Sequence, residues 1–314
     1  MVLALVGAGK WGQNYLRAVK KIPDIKIKYV CSGIKSLQSL SPEYVKVENY
    51  KDLVEKKDVD GIIIATPASN HYELAEFFLK ANKPILIEKP MVTSLSQAKK
   101  LKDIFERKKS KILVGHIFLY NPAFQRFTEL LGEIGSIQYL NFEGCDFGPI
   151  RDDVSALWDW SPHDISMCLE IMKKMPLEIS AWAVKALCSK TDKYDMVYAR
   201  LLFEDNTSAF LKIGWLSPFK KREILVFGSG ASILFDDTSD KKIIRYDNLG
   251  NSLGKVSYPS YSENEPLVEE LLDFIGLIRG NRRPKSDFLK SFEVVRVIDA
   301  IGKSIKLNGN TVKV

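Results

Sequence analysis

Two stretches of this 314-residue chain bring together residue types that could move a proton. In ALWDWSPHDISM (156–167), His163 is one of only three histidines; it follows Asp159 by four positions and Pro162 by one. Ser161-Pro162-His163-Asp164 has the form of a helix start, with Ser161 as N-cap, Pro162 at the first helical position and Asp164 returning a hydrogen bond. That places His163 in the first turn, where the positive end of the helix dipole opposes protonation. A neutral imidazole is what a general base needs to take an alcohol proton. Asp159 lies before the cap and is left to point elsewhere. A histidine that only satisfies local hydrogen bonds is the competing reading.

The second stretch is PILIEKP (84–90), a strand pattern that delivers Lys89 to the carboxyl edge of a parallel sheet, where such sheets bind ligands. Pro90 biases the Lys89 backbone toward the extended region. An ammonium donor beside a reacting oxygen stabilises alkoxide charge, although a strand-end lysine taken alone is a solvated charge. Glu88 could pair with Lys89 or contact a bound cofactor, and the pattern leaves both open. His71 and His116 also fall at or just after strand ends, so all three histidines are expected near one edge. Three imidazoles could hold zinc, but no cysteine or acid completes a ligand spacing, and no metal is expected. Tyr120, Asn121, Arg151, Trp158 and Trp160 come from neighbouring segments. Arg151 could grip a phosphate or carboxylate, or pair with Asp152 or Asp153. The tryptophans read as core or as platforms for a sugar ring.

Ahead of both stretches runs VLALVGAGKWGQNYLRAV (2–19), a strand, a Gly7-Ala8-Gly9-Lys10-Trp11-Gly12 turn and a helical pattern. Here Gly7 permits the turn, Gly9 admits a pyrophosphate to the backbone, and Gly12 lets helix and strand pack closely. Roughly 20 residues on, where an acid usually holds the ribose hydroxyls of NAD, the chain reads YVCSGIKSLQ. Cys31 and Ser32 are expected to flank the adenosine ribose. With Ser32, Lys35 and Ser36 in place of an acid, a 2′-phosphate meets no repulsion, which favours NADP over NAD.

The elements needed to position these residues follow from the hydrophobic rhythm. Up to about residue 116, short apolar runs (VLALVG, IKIKYVC, GIIIATP, PILIEKP, KILVGH) alternate with helical patterns at 10–21, 51–57, 69–81 and 94–109. Ser94 with Gln97, and Ser69 with Tyr72, resemble helix-start signals. Beyond Pro122 comes a helix near 122–132, then SIQYLNFEG, the helix from Pro162, and six strand-like runs from EISAWAVKAL to KKIIRYD. Short turns such as EDNT and GSG join them, which implies antiparallel pairing. Helices at 264–279 and 288–307 close the chain. The expected class is α/β: a doubly wound, Rossmann-type parallel sheet over 1–118, then an α+β domain over 119–314 with a large open, mainly antiparallel sheet. No internal repeat or low-complexity segment is seen.

Composition sets the outer bounds. Apolar and charged fractions of 46% and 27% are those of a folded soluble protein. The net charge of +7 suits phosphorylated small molecules. Its basic residues, however, stand singly or in pairs such as Lys20-Lys21, Lys99-Lys100 and Arg282-Arg283, so no nucleic-acid partner is expected. Cys31, Cys145, Cys168 and Cys188 form no CxxC pair and read as buried thiols. Without a long apolar run or a basic leader, a cytoplasmic protein with no membrane partner is expected.

With ATPASNH (65–71), EKP (88–90) and DWSPHD (159–164) following the glycine turn in this order, the chain resembles the Gfo/Idh/MocA oxidoreductases over essentially its full length. FEVVRVIDAIGKSIKLNG (292–309) looks like the closing helix of that family. VGHIFLYNPAF (114–124) and LWDWSPHDIS (157–166) look closest to nucleotide-sugar members of the UDP-N-acetylglucosamine 3-dehydrogenase type. The resemblance implies nicotinamide-dependent oxidation or reduction of a sugar, cyclitol or nucleotide sugar, with Lys89, Asp159 and His163 matching the catalytic residues. It implies cofactor contacts from Gly7, Gly9, Lys10, Trp11, Gly12, Ser32, Thr66, Pro67, Asn70, His71, Glu88 and Lys89. Substrate contacts are implied from Lys89, His116, Tyr120, Asn121, Arg151, Trp160 and His163. The family often shows Asp-x-Gly-x-His, and here Ser161 stands in place of the glycine. A homodimer or homotetramer through the second-domain sheet is expected. An NAD-using glycosidase and a non-catalytic cofactor sensor are the alternative functions.

Overall fold

The computed structural model describes residues 1–33, 40–148, 150–151, 153–188, 193–249, 252–281 and 283–314. Runs of buried aliphatic residues with no polar alternation require a sheet covered on both faces. Such runs form β1 (Val2–Val6), β4 (Gly61–Ile64), β5 (Ile85–Glu88) and β6 (Ile112–Gly115). With β2 (Lys26–Cys31) and β3 (Val45–Val47) they make, among the described residues, a six-stranded sheet in the order 3-2-1-4-5-6. Every pairing in it is parallel. The helices α1 (Lys10–Ala18), α2 (His71–Lys80) and α3 (Leu95–Lys108) lie between strands in the chain. Ser94 caps α3 by accepting the Gln97 amide, as expected. The Ser69 signal is not used, because Ser69 sits inside a 3-10 turn, Ala68–Asn70, with no side-chain cap. The pattern at 51–57 yields only a 3-10 turn, Tyr50–Leu53, capped by Asn49.

The chain divides into two compact units, Met1–Tyr120 with Glu265–Val295, and Asn121–Asn264 with Arg296–Val314. A single division near residue 118 therefore omits a return of the chain. Its cause is visible at Gly61, where an added Cβ would lie 2.7 Å from Ile278 and 3.0 Å from Phe274. The bare backbone of β4 lets a helix outside the first 120 residues, Pro266–Arg279, pack there and bury Leu267, Leu271, Phe274 and Ile275.

The second unit is built on β7 (Ile137–Phe147), β8 (Glu178–Val184), β9 (Met196–Leu202), β10 (Ser208–Gly214), β11 (Leu216–Gly228), β12 (Ala231–Asp236) and β13 (Ile243–Leu249). Like β3 in the first unit, two short strands here escaped the sequence pattern, β14 (Ser252–Ser257) and β15 (Val312–Lys313). Among the described residues the strand order is 14-13-12-11-7-10-9-8-15, antiparallel except for β7 beside β10. Alternation assigns the two faces. Leu140, Phe142, Val197, Leu201, Leu211 and Ile213 are buried, whereas Tyr139, Trp182, Tyr198 and Phe210 on the other face are exposed. The helices of this unit are α4 (Pro122–Leu130), α5 (Ala156–Asp159) and α6 (Ser161–Met172). In the first unit, Pro266–Arg279 is α7; α8 (Phe288–Lys306) passes from the first unit to the second at Val295.

Among the described residues no helix is long and apolar enough to cross a membrane. All four cysteines are buried and unbridged.

Candidate active site

Strand order reverses between β1 and β4, the place where open α/β sheets bind ligands. Gly7, just past β1, has φ +96°, and a Cβ there would lie 2.6 Å from the Ala65 carbonyl beyond β4. At Gly12 a Cβ would lie 2.0 Å from the Gly7 carbonyl. Packing alone therefore demands these two glycines. Gly9 differs: it is extended, caps α1 without a side-chain bond, and has nothing within 4 Å of an added Cβ. The first turn of α1 holds no acid and Gly9 gives it no side-chain cap, so its amides form the positive end of the helix dipole. Thr66 Oγ1 is buried with no partner among the described residues. Open space over Gly9, first-turn amides without a side-chain cap and a Thr66 hydroxyl with no partner among the described residues fit a dinucleotide.

Ser32 Oγ accepts the Ala8 amide at 2.9 Å, so this hydroxyl braces the turn. Lys35 and Ser36, which carry the rest of the expected NADP preference, lie outside the described residues. Lys10, Trp11, Pro67 and Asn70 are exposed.

Glu88 has partners that neither reading named, beside the Lys89 charge, which favours its ionised form. Its buried carboxylate accepts the Trp11 indole N–H, the Tyr15 hydroxyl at 2.5 Å and the Lys89 amide at 3.2 Å. Lys89 follows directly, half-buried at the carboxyl end of β5. The His71 ring lies between two carbonyls, Pro90 at 2.8 Å and Thr66 at 2.9 Å. It is buried and ties the loop after β4 to the loop after β5, so its ring nitrogens are not turned to a cofactor. His116 is buried, and among the described residues neither ring nitrogen has a hydrogen-bond partner. Burial and then the Lys89 charge push its pKa down to about 3, leaving a neutral imidazole at pH 7. The expected substrate role of Tyr120 does not match its geometry. Its hydroxyl is buried, 2.8 Å from Asp273 Oδ2 and 2.9 Å from Ser286 Oγ.

In the second unit, the helix start around His163 differs in detail from the expected cap. Ser161 is already inside α6 and donates to the Leu157 carbonyl, while Trp160 occupies the cap position without a side-chain bond. Asp164 does not cap either. Its buried carboxylate lies over β7, where a Cβ on Gly144 would come within 2.4 Å of Oδ2. Burial raises its pKa to about 6 against the opposing pull of Arg222. The missing side chain at Gly144 creates the space, which a cap pattern cannot reveal. His163 does fall in the first turn of α6, half-buried, its amide bonded to the Trp160 carbonyl at 3.1 Å.

Asp159 is buried, with Arg151 Nη1 3.6 Å from Oδ1. Arg151 also donates to both carboxylate oxygens of Asp153, at 3.0 and 3.2 Å, so its guanidinium is already paired with acids. Asp152, the other candidate, lies outside the described residues. Trp160 is a platform of another kind: the Arg222 guanidinium stands 3.9 Å over its ring. Asn121 accepts the Ala123 and Phe124 amides as the cap of α4 and donates to Asp237 at 3.0 Å. Among the described residues no group of three His, Cys, Asp or Glu could hold a metal ion.

Three residues at these sites were not singled out from sequence: Tyr15, Glu270 and Arg222. Glu270 had a readable signal, since Leu267, Glu270, Leu271 and Phe274 follow helical spacing and put an acid on the buried stripe of α7.

Comparison with known proteins agrees with this architecture. Residues 1–116 match the family model described as "Oxidoreductase family, NAD-binding Rossmann fold", and 130–234 match "GFO/IDH/MocA C-terminal domain". UDP-N-acetylglucosamine 3-dehydrogenase of Acidithiobacillus ferrooxidans is 26% identical over 280 residues, 88% of this chain and 82% of that protein. Inositol 2-dehydrogenase of Rhizobium meliloti is 23% identical over 57% of each chain. Among solved structures, a protein of Magnetospirillum magnetotacticum described as a candidate oxidoreductase superposes with a TM-score of 0.85 and 28% identity. That match covers 95% of this chain and 98% of the other.

Proposed function

The chain belongs to the GFO/IDH/MocA oxidoreductase family, and from that membership we propose that it exchanges a hydride between a nicotinamide dinucleotide and a secondary hydroxyl of a sugar, cyclitol or nucleotide sugar. The observation that carries the reading is in the first unit: Lys89 ends β5 on the same carboxyl edge as the open glycine turn and Thr66. The dinucleotide, when bound, supplies the hydride acceptor. Gly9, the first-turn amides of α1 and Thr66 would hold it, while Gly7 and Gly12 shape the turn by packing and Ser32 braces it. The absence of an acid at the end of β2 favours NADP.

Lys89 donates to the reacting oxygen and lowers the pKa of the hydroxyl. His163 takes the hydroxyl proton as general base, and Asp159 supports it. His116 offers a neutral imidazole to the substrate. The aromatic face of the nine-stranded sheet is the surface through which copies of the chain form a homodimer or homotetramer.

The test is steady-state production of reduced nicotinamide from a panel of sugars, cyclitols and nucleotide sugars, with NAD and NADP in parallel. Lys89→Ala and His163→Ala should each lower kcat by roughly 100- to 10,000-fold with the fold intact. Unchanged turnover in both variants sinks the assignment. Release of free sugar without net reduction identifies the glycosidase alternative, and tight nucleotide binding with no turnover identifies the sensor.

A further inference from the structure

A buried phenol stands between two carboxyl groups in the first unit. The Tyr15 hydroxyl is 2.5 Å from Glu88 Oε1 and 2.9 Å from Glu270 Oε1, and all three side chains are buried. A phenol has one proton to donate. Glu88 already faces three donors: the Trp11 indole, the Tyr15 hydroxyl and the Lys89 amide. Among the described residues no acceptor awaits a proton on Glu88, so Glu88 is the carboxylate and accepts the Tyr15 hydrogen bond. The Tyr15 oxygen is then left to accept, and the atom opposite it is Glu270 Oε1. Only a protonated carboxyl can donate there. Glu270 Oε2 is buried with no partner among the described residues, a position tolerable for a neutral acid and costly for an anion.

We propose that Glu270 is a neutral carboxylic acid donating to Tyr15, and that both are positioning residues that keep Glu88 ionised, so that it holds the Trp11 indole and the Lys89 backbone where a nicotinamide dinucleotide needs them. Trp11 is 41% exposed in the first turn of α1, so its indole is anchored at one end and open at the other. The proposal rests on the dinucleotide reading above.

The surrounding charges agree. Burial raises Glu270 well above the ordinary carboxyl range, and Glu88 and Asp273 raise it further, against the Tyr15 hydrogen bond. Burial raises Glu88 as well, but Tyr15, Trp11 and the Lys89 charge all favour its ionised form. Tyr15 is raised by burial and both acids and stays a phenol. Tyr120, in the turn after β6, is raised by burial and then by Asp273 and Glu270, and it too stays neutral.

The experiment titrates the full-length protein with NADH and NADPH, reading Kd from tryptophan fluorescence across mildly acidic to mildly basic pH. Wild type and Glu270→Gln should bind alike and without pH dependence, because an amide N–H can donate to Tyr15 as the acid does. Tyr15→Phe should weaken binding roughly tenfold. Its Kd should rise as pH falls, since Glu88 without its donor takes up a proton. In a Glu88→Gln background, Tyr15→Phe should add nothing. A Glu270→Gln variant that weakens binding as much as Tyr15→Phe, or a Tyr15→Phe variant with flat affinity, overturns the proposal. If circular dichroism shows that Tyr15→Phe does not fold, Glu270→Gln decides alone. Wild type that binds neither nucleotide counts against the dinucleotide reading instead. The proton on Glu270 has its own readout: the infrared difference between wild type and Glu270→Gln should contain a protonated-carboxyl carbonyl band at neutral pH. Its absence overturns the proposal whatever the nucleotides do.

Discussion

Asp195 accepts the indole N–H of Trp215 at 2.6 Å, and the same carboxylate takes the amides of Ala186, Leu187 and Cys188 at 2.7, 3.0 and 3.0 Å. Both residues are fully buried in the second unit. One anion thus ties the chain after β8 to the residue between β10 and β11.

Burial alone would raise the Asp195 pKa, but the Cys188 and Ala186 amides and the Trp215 indole outweigh it and bring it to about 2. A carboxyl whose folded pKa lies below its unfolded value of roughly 3.9 stabilises the fold above that pH and stops doing so as pH falls through about 2. The difference corresponds to roughly 2–3 kcal/mol. Asp195→Asn should lose about that much in urea unfolding at neutral pH, and its stability should vary less between pH 4 and pH 2 than that of wild type. Equal acid sensitivity in the two proteins would contradict the assignment.

His116 titrates against the fold in a higher window. Its folded pKa of about 3 lies below the unfolded value of roughly 6.5, so its contribution is complete above 6.5 and is lost progressively down to about 3. The full span is on the order of 5 kcal/mol. His116→Phe removes the titration together with two ring nitrogens that lack partners among the described residues. It should keep or raise the melting temperature at pH 7, flatten stability between pH 6.5 and 3, and lower kcat/KM if His116 meets the substrate. Thermal melts across that range with kinetics at pH 7 check both halves.

The glycine turn separates packing from ligand binding. Gly12→Ala drives a methyl to 2.0 Å from the Gly7 carbonyl, a backbone atom that cannot move aside, and should cost about 3 kcal/mol or more. Gly9→Ala meets open space with φ already negative, and should cost about 1 kcal/mol or less through the weaker cap. Yet Gly9→Ala should weaken nucleotide binding at least roughly tenfold, because the methyl occupies the approach to the backbone. Retained affinity in Gly9→Ala would mean that the nucleotide does not lie over this turn.

What the sequence disclosed divides along a physical line. Gly12 against the Gly7 carbonyl, the Ser94 cap and the apolar runs of the parallel strands were legible because each depends on neighbours within a few residues. Asp164 misled for the opposite reason: its spacing from Ser161 fits a cap, but a bare Gly144 on β7 offers the carboxylate a buried site. Glu88 joins Tyr15 and Glu270 through three elements far apart in the chain, and only the fold brings them together. The return of Glu265–Val295 to the first unit was hidden likewise, since the apolar stripe of α7 states that the helix is buried and not against what.

The exposed sheet face gives the last prediction. Tyr198 lies opposite Trp182 on β8 and Lys212 on β10, and Phe210 opposite Arg200 on β9 and Asn141 on β7, so these side chains share the solvent-facing surface. Tyr139, Trp182, Tyr198 and Phe210 put four exposed aromatic side chains on this face, and exposed apolar groupings of this kind mark contact surfaces. Substituting Phe210→Glu and Tyr198→Glu together alters solvent-facing positions of one chain and should change its own stability by no more than about 1 kcal/mol. At an interface the same two carboxylates would be stripped of water without partners, which strongly opposes association. Light scattering on the eluting protein should therefore report an oligomer for wild type and the mass of a single chain for the double variant, with unchanged circular dichroism. A wild-type chain already monomeric at high concentration would remove this face from consideration as the contact between copies.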